Sequence, residues 1–247
     1  MNKPAVISII VPVLNEGERI GELLRHVRER AGRLPVEIIV ADGDPDGSTL
    51  KEIRDINVIS LRSPRGRGAQ MNRGAERATG SILLFLHADT LLPGNAFNEI
   101  MDALDDARFV GGAFDLGIDS GRFLMRLIAR CASLKHRLTR VPYGDQAIFI
   151  RADFFRTIGG YREMPLFEDV ELMRRIKKLG KKIIILGRRT ITSPRKWERD
   201  GALYTIFRNW SLQALHLMGA SPGFLARHYD GRTCRIICRF HRKQAGK

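Results

Sequence analysis

Four short apolar runs alternate with helical patterns in the first 90 residues of this 247-residue chain. The runs lie at residues 6–11, 36–41, 58–61 and 82–86. Their continuous hydrophobicity is typical of strands that are buried on both faces. Because strand–helix–strand crossovers are right-handed and place their strands in parallel, the pattern predicts a parallel sheet flanked by helices.

A cluster of polar residues follows each of these four strands. The clusters are Pro12-Val13-Leu14-Asn15-Glu16, Asp42-Gly43-Asp44, Arg65-Gly66-Arg67-Gly68 and His87-Ala88-Asp89. Parallel strands end at the same edge of their sheet, and open α/β sheets bind ligands beyond that edge. We therefore expect the four clusters to lie together and to form one ligand site.

The second half of the chain has a more mixed pattern. Strands are predicted at residues 109–118, 146–151 and 182–186, and helices at residues 121–138, 153–158, 170–179 and 199–218. No linker interrupts the pattern. We predict an α/β fold with a mixed, mostly parallel sheet, in one domain of residues 1–230 whose halves meet at about residue 118, followed by a basic tail at residues 231–247.

The chain is strongly basic, with 42 Lys and Arg against 27 Asp and Glu and a net charge of +15. This balance fits a generally basic surface, and it also fits an anionic membrane, a nucleic acid or phosphorylated ligands as partners. Nucleic-acid modules interleave aromatic and basic residues. Only 7% of the residues are aromatic and none lies at residues 62–73, so we predict no nucleic-acid partner.

The cysteine content and the lengths of the apolar runs indicate the cellular compartment of the protein. The three cysteines, Cys131, Cys234 and Cys238, are odd in number and lack the paired spacing of a zinc site, which fits a reducing compartment. The apolar runs are too short to span a bilayer. We expect a cytoplasmic protein, either free or peripheral at the inner face of the membrane.

Two basic segments with interleaved apolar residues, at residues 121–138 and 232–242, fit contact with an anionic membrane surface. The alternative is ordinary core-facing helices with a solvated basic side.

Two aspartates follow strands. Asp89 has a carboxylate suited to a hard divalent cation, which would bridge phosphate oxygens. The alternative is that Asp89 caps a helix predicted from Pro93. Asp42 has a carboxylate that can accept hydrogen bonds from a base or a ribose, or from the backbone of its own turn.

Charged residues in two other segments are candidates for phosphate binding and for proton transfer. Arg65 and Arg67 lie in a glycine-rich loop before a helix and suit phosphate, although the pattern is not a Walker loop. Glu168 and Asp169 open a helix, either as favourable partners of its dipole or as a general base that takes a proton from a hydroxyl. The helix N-terminus predicts a lowered pKa for such a base.

Two more segments are candidates for a sugar or acceptor pocket. Asp145 and Gln146 precede a strand, and Arg195 and Trp197 follow one. Trp197 is suited to stacking on a sugar face, and the alternative is a packed tryptophan at the edge of a core.

The order and spacing of several motifs resemble those of the family 2 glycosyltransferases. The motifs lie at residues 12–16, 42–49, 72–75, 84–89, 167–169 and 195–197, and the likeness covers about four fifths of the chain. A closer likeness is to a bacterial branch labelled arsenosugar-biosynthesis-like, through residues 64–68, 143–146 and 195–198. The resemblance implies a GT-A fold, an inverting transfer and a divalent metal, Mn²⁺ or Mg²⁺.

The resemblance also implies roles for individual residues. Asp42 would contact the nucleobase, Asp89 would bind the metal as part of the DXD motif, and Asp169 would be the catalytic base. The residues that would line the nucleobase pocket are Pro12, Asn15 and Glu16. Arg195 and Trp197 would fall in the region of the Gln/Arg-x-x-Arg-Trp motif.

The chain departs from the family pattern in two places. His87 stands at the first acidic position of DXD, which leaves one carboxylate for the metal, and Lys196 precedes Trp197 where the pattern has arginine. The Arg-Trp motif accompanies polymerising members, so its imperfect form argues for a single transfer.

We therefore predict an enzyme that moves a sugar from a nucleotide-diphosphate sugar, in particular a UDP-sugar, to a hydroxyl of a small-molecule or lipid-linked acceptor. The alternatives are a sugar-phosphate nucleotidyltransferase, which the loop after the first strand disfavours because it lacks a glycine-rich turn, and a basic nucleic-acid-binding module.

Overall fold

The structure, a computed structural model, describes residues 7–229. The side chains of residues 196, 197, 199, 202, 203, 206, 216, 217 and 229 are outside this description. The chain divides into two compact units, the first formed by Met1–Glu163 and Glu168–Pro194 and the second by Met164–Phe167 and Arg195–Lys247. The predicted single domain with halves meeting at about residue 118 stays a prediction.

The first unit alternates strands and helices, as the hydrophobic pattern predicts. Its strands are β1 (Ile7–Val13), β2 (Val36–Asp42), β3 (Val58–Arg62), β4 (Ile82–Phe85), β5 (Thr90–Leu91), β6 (Phe109–Ile118), β7 (Ile148–Arg151) and β8 (Lys182–Thr192). Its helices are α1 (Gly17–Ala31), α2 (Arg67–Arg77), α3 (Ala96–Asp105), α4 (Phe123–Thr139), α5 (Ala152–Thr157) and α6 (Glu168–Lys178). Short 3₁₀ turns lie at Leu50–Glu52 and Gly144–Gln146.

All eight strands join one sheet in the order β3-β2-β1-β4-β7-β6-β8-β5. The first four strands of this order pair in parallel, and so do β6 and β8. Strand β7 runs antiparallel to both of its neighbours, and β5 pairs antiparallel with β8. The predicted mixed, mostly parallel sheet flanked by helices is confirmed.

The sheet has a hydrophobic core on each face because successive side chains of a strand point to opposite sides. In β1, Ile9 belongs to one core and Ile10 to the other, and both are fully buried. Helices α1 and α3 cover the first face, and α2, α5 and α6 cover the second. This double coverage explains why the sequence shows continuous apolar runs in place of alternating ones.

The second unit contains the helices α7 (Arg195–Asp200), α8 (Ala202–Leu217) and α9 (Pro222–Tyr229). The predicted long helix over residues 199–218 is confirmed as α8, except at its start, because Gly201 adopts a φ of 84° and separates α8 from the short helix α7. Leu166, Leu212 and Leu225 form the core of this unit. Within residues 7–229, no helix has the length and apolar character needed to cross a membrane.

Candidate active site

The carboxyl ends of the four parallel strands lie at one edge of the sheet. Val13 pairs with Asp42, and Asp42 pairs with Arg62, so β1, β2 and β3 end side by side. Phe85 at the end of β4 pairs with Ile148 at the start of the antiparallel strand β7. The turn Gly144–Gln146, which immediately precedes β7, therefore joins the same edge.

Asp42 organises the loop that follows β2. Its Oδ1 accepts the Asp44 N–H at 2.9 Å and its Oδ2 accepts the Thr49 N–H at 3.0 Å. The side chain is fully buried, and the Thr49 hydroxyl in turn accepts the Glu16 N–H at 3.1 Å. Asp42 thus has the turn-stabilising role that the sequence left as an alternative, and its contact with a nucleobase stays a prediction.

The three residues predicted to line the nucleobase pocket differ in accessibility. Pro12 is buried within β1, whereas Asn15 is exposed and Glu16 is partly exposed just before α1. Asn15 adopts a left-handed φ of 57° and accepts the Ser48 hydroxyl at 3.2 Å. Asn15 and Glu16 are therefore the members of this set that a ligand at the sheet edge can reach.

Gln70 is a structural residue of this edge that the sequence analysis missed. Its Nε2 donates to the carbonyl oxygens of Val13 at 2.6 Å and Ala41 at 2.9 Å. These two bonds join the carboxyl ends of β1 and β2. The available signal was a glutamine within the buried stripe of the amphipathic helix α2.

Asp169 is held by two backbone amides. Its Oδ2 accepts the Gly144 N–H at 2.8 Å and its Oδ1 accepts the Val170 N–H at 2.7 Å. Burial raises the pKa of Asp169, although these amides and the positive charge of Arg67 act in the opposite direction. The prediction of a pKa lowered by the helix N-terminus is wrong, because desolvation outweighs the favourable dipoles.

Asp169 belongs to a cluster of acidic groups close enough to influence one another. Burial, followed by the charges of Asp169 and Asp89, raises the pKa of Asp145 to about 7. Burial and the charge of Asp169 raise the pKa of Glu168 to about 7. The positive charge of Arg67 lowers the pKa of Asp145, Glu168 and Asp169, so Arg67 is a cation of this cluster.

His87 lies against the same cluster as a neutral imidazole. Burial and the nearby charge of Arg67 lower the pKa of His87 to about 3. A Cβ atom built on Gly144 would lie only 2.5 Å from His87 Nε2, so the ring packs directly on the glycine. Gly144 thus contacts His87 on one side and donates its N–H to Asp169.

Asp89 is exposed at the start of β5, where its carbonyl oxygen accepts the Ser193 N–H at 3.1 Å. The alternative role as a helix cap is wrong, because helix α3 begins at Ala96 and its N-cap residue is Asn95. The carboxylate of Asp89 is consequently available to a ligand beside the acidic cluster.

The remaining predicted residues are not placed in this cluster. Arg65 is exposed in the loop before α2, and the structure gives it no contact with the cluster among the described residues. Gln146 is buried and donates to the Phe114 carbonyl at 2.7 Å, which is a structural role. Arg195 begins α7 in the second unit, and the side chain of Trp197 lies outside the described residues. Their pocket roles stay predictions.

The oxygen donors near the acidic cluster determine whether the site fits the divalent metal that the resemblance implies. Within the described part of the chain, no group of three or more His, Cys, Asp and Glu side chains is arranged to hold a metal ion. Asp89 supplies one exposed carboxylate, a hard oxygen donor. This set fits a cation that takes one carboxylate from the protein and its other ligands from phosphates and water, as Mg²⁺ does.

The raised pKa of Asp145 predicts a pH-dependent stability. The folded state binds its proton more tightly than the unfolded chain, whose aspartate pKa is about 3.9. The resulting stabilisation is complete below about pH 4 and is lost as the pH rises through about 7. Asp145→Asn cannot ionise, so we expect it to raise the free energy of unfolding at pH 8 by about 4 kcal/mol relative to wild type.

Urea unfolding in metal-free buffer at pH 4.5 and pH 8 measures this difference. The matched control is Asp153→Asn, which changes an exposed aspartate at the start of α5 and should leave the pH dependence unchanged. An equal effect of both substitutions at pH 8 would rule out the buried carboxyl of Asp145 as the cause.

The fold and the family match define the class of protein. The mixed, mostly parallel sheet flanked by helices is a GT-A-like fold, and the structure is similar to the mannosyltransferase PcManGT from Pyrobaculum calidifontis in complex with GDP-Man and Mn²⁺. The TM-score is 0.65 at 19% identity, over 90% of this chain and 68% of that chain. Residues 8–162 match the model of glycosyl transferase family 2, and the chain belongs to this family.

Other relatives agree with this assignment. A dolichol-phosphate mannosyltransferase of Pyrococcus furiosus is 23% identical over 142 residues, which are 53% of this chain and 40% of the relative. An undecaprenyl-phosphate 4-deoxy-4-formamido-L-arabinose transferase of Salmonella paratyphi B is 24% identical over 156 residues, 59% of this chain and 48% of the relative. The chain thus matches less than half the length of these two relatives. The predicted family is confirmed, and the narrower arsenosugar-like branch stays a prediction.

Proposed function

We propose that this protein transfers a single sugar from a nucleotide-diphosphate sugar, in particular a UDP-sugar, to an acceptor hydroxyl with inversion at the anomeric carbon. The observation that carries the proposal is the carboxylate of Asp169, which two amides orient beside the cation Arg67 at the ligand-binding edge of the sheet. Membership of glycosyl transferase family 2 supports the same chemistry.

In the proposed reaction, Asp169 acts as the general base. It accepts the proton of the acceptor hydroxyl while the acceptor oxygen attacks the anomeric carbon and the bond to the nucleoside diphosphate breaks. Burial raises its pKa and so makes the carboxylate a stronger base than a free aspartate. The Gly144 amide fixes the direction of the carboxylate, which keeps one oxygen in place for the hydroxyl.

The donor diphosphate occupies the space beside Arg67 and Asp89 in this proposal. Arg67 begins helix α2, so its guanidinium and the helix N-terminus both favour an anion there. Asp89 would hold a divalent cation, Mn²⁺ or Mg²⁺, which when bound offsets the negative charge of the diphosphate. Asn15 and Glu16, at the end of β1, line the nucleoside end of the donor.

Melting-temperature shifts test the donor class and the metal together. A nucleoside diphosphate at about 100 times its Kd stabilises the folded protein by about 2.7 kcal/mol, which corresponds to a shift of about 5–10 °C for a domain of this size. We expect UDP with Mn²⁺ to give such a shift, and Asp89→Ala to remove its dependence on the metal. The control is Asp106→Ala, which removes a partly exposed carboxylate at the C-terminal end of α3, where it pairs with Arg108.

The outcomes separate the parts of this proposal. A shift of the melting temperature by GDP and not by UDP would contradict a UDP-sugar as the donor. It would still support a nucleotide-diphosphate sugar as the donor class. A metal-dependent shift that survives in Asp89→Ala would remove Asp89 as the metal ligand. The failure of every nucleoside diphosphate to shift the melting temperature would contradict the nucleotide-sugar donor itself.

The acceptor is proposed to be a small-molecule or lipid-linked hydroxyl, and the location to be cytoplasmic or peripheral at the inner face of the membrane. The names of two relatives contain the lipid phosphates dolichol-phosphate and undecaprenyl-phosphate, which supports a lipid-linked acceptor. The net charge of +15 supports an anionic surface as a partner.

A further inference from the structure

Helix α4 exposes a row of large apolar side chains along its length. The row consists of Leu124, Leu127, Leu134 and Leu138, with Phe123 at its beginning. The opposite face is buried, and there the Ser133 hydroxyl accepts the Leu116 N–H of β6 at 2.9 Å. One face of α4 thus packs against the rest of the first unit, while the apolar row on the other face is exposed to solvent.

The spacing shows that this row is a continuous face. Its leucines recur at intervals of 3, 7 and 4 residues, and Cys131, which is exposed, fills the gap in the middle. At about 100° per residue, the centre of this row lies about 180° from the centre of the buried row. A helix of 17 residues presents this face over about 25 Å.

The charged side chains of helix α4 are all basic. Helix α4 contains no Asp or Glu, and the exposed Arg126 and Arg130 lie along one side of the apolar row. Arg122 and Arg140 stand at its two ends and are also exposed. An exposed apolar face with a basic flank is the pattern of a helix that lies in the interface of an anionic bilayer.

We propose that α4 docks this protein on an anionic lipid bilayer, with the leucine row inserted among the acyl chains and Arg126 and Arg130 at the lipid headgroups. The inference does not depend on the transferase reaction. The sequence-based alternative of a core-facing helix with a solvated basic side agrees with the buried face of α4, but it does not explain why the five apolar side chains of the row are exposed in the folded structure.

Two other interpretations fit the charges less well: a second copy of the chain as the partner of the row, and helix α8 as the element that binds the membrane. A second copy of the chain on the same row would bring the arginines of two α4 helices together, and like charges oppose such a contact. Helix α8 also exposes apolar side chains, among them Phe207 and Trp210. Its Arg208, however, is buried and bound to Asp200 at 2.9 Å, so it offers no cation to a lipid headgroup.

Co-sedimentation with vesicles tests the apolar row. The full chain is mixed with vesicles of phosphatidylglycerol in phosphatidylcholine, or of phosphatidylcholine alone. Leu134 and Leu138 are 60% and 77% exposed, and the double substitution Leu134→Ser/Leu138→Ser should weaken binding to the anionic vesicles about tenfold or more. The matched control is Ile56→Ser/Leu179→Ser, at sites 95% and 53% exposed elsewhere on the first unit, which should bind as wild type does.

A second pair of variants tests the charges. Arg126→Gln/Arg130→Gln should weaken binding about tenfold at low salt, whereas Arg25→Gln/Arg33→Gln removes the same net charge from α1 and its C-terminal turn and should have little effect. Wild-type binding should fall as salt is raised and should be weak on pure phosphatidylcholine.

Three results would overturn the proposal. The first is that Leu134→Ser/Leu138→Ser binds anionic vesicles as tightly as the wild type does. The second is that the test pair and its control pair lose vesicle binding equally. The third is that the protein forms a dimer without lipid and that Leu134→Ser/Leu138→Ser dissociates this dimer. The last result would assign the row to a second copy of this chain. Because every variant keeps the basic tail at residues 231–247, binding by the tail alone would appear as equal binding of all variants.

Discussion

Asp169→Asn is expected to reduce the rate of sugar transfer by about 10³-fold, because positioned general bases contribute about 10²–10⁴-fold to their reactions. The amide keeps the size of the side chain and the carbonyl oxygen that accepts one backbone N–H. It loses the ability to take the acceptor proton. Donor binding should change little, since the proposed contacts of the diphosphate are with Arg67 and Asp89.

The measurement is the steady-state rate together with the affinity for UDP. The matched control is Asp153→Asn, because Asp153 also opens a helix and accepts the next backbone N–H, from Phe154, at 2.7 Å. This control should retain full activity, which separates catalysis from the capping of a helix start. More than about a tenth of the wild-type rate in Asp169→Asn would exclude a general base that contributes the factors above.

The pH profile gives an independent readout for Asp169. Its pKa is raised by burial, so the rate should fall as the pH decreases through that raised value, when the base becomes protonated. The activity that remains in Asp169→Asn should lack this acidic limb. If the fall of the rate at low pH is unchanged in Asp169→Asn, another group of the cluster causes it. Glu168→Gln would identify the neighbouring carboxyl as that group if this substitution removes the fall of the rate.

Gly144→Ala is expected to reduce the rate by about 10²-fold while the protein stays folded. The new Cβ would lie 2.5 Å from His87 Nε2 and 2.6 Å from Cε1, so either the ring or the turn has to move. Movement of the turn displaces the N–H that holds Asp169 at 2.8 Å. Misplacement of a reacting group by about 1 Å can cost about 10²-fold in rate.

The control for this prediction is Gly94→Ala, because a Cβ there meets no atom within 4 Å. Both variants should be compared by rate and by melting temperature, so that a loss of folding is not taken for a loss of catalysis. His87→Ala added to Gly144→Ala removes the clash and should restore part of the rate if the ring is the obstacle. A fully active Gly144→Ala would show that the amide of Gly144 has no part in orienting Asp169.

Much of the fold was predictable because the signals are local. The runs at residues 6–11, 36–41, 58–61 and 82–86 became β1 to β4, with ends that shift by one or two residues. Parallel strands end at one edge of a sheet, so the polar clusters after them were correctly predicted to share that edge. The start of the long helix was predicted at residue 199, whereas Gly201 adopts a positive φ and α8 begins after it, at Ala202.

The candidate site was predictable in its residue types and less so in their roles. Asp42, Asp89 and Asp169 were identified from their positions after strands and at a helix start. The sequence left two roles open for both Asp42 and Asp89. Hydrogen bonds from Asp44 and Thr49 show that Asp42 stabilises its loop, and the position of Asn95 before α3 excludes a capping role for Asp89.

The sequence by itself determined the strands, the helices and the edge at which the polar residues gather, because periodicity and β-branched content act over a few neighbouring residues. Only the tertiary structure decided the protonation of the acidic cluster and the exposure of the α4 leucines. The surroundings of Asp169 include the N–H of Gly144, 25 residues away in the chain, and its burial depends on segments that the fold brings together. A leucine row on a helix is buried or exposed according to what packs against it. Such environments arise only when distant segments meet, which is why the carboxylate expected to have a lowered pKa has a raised one.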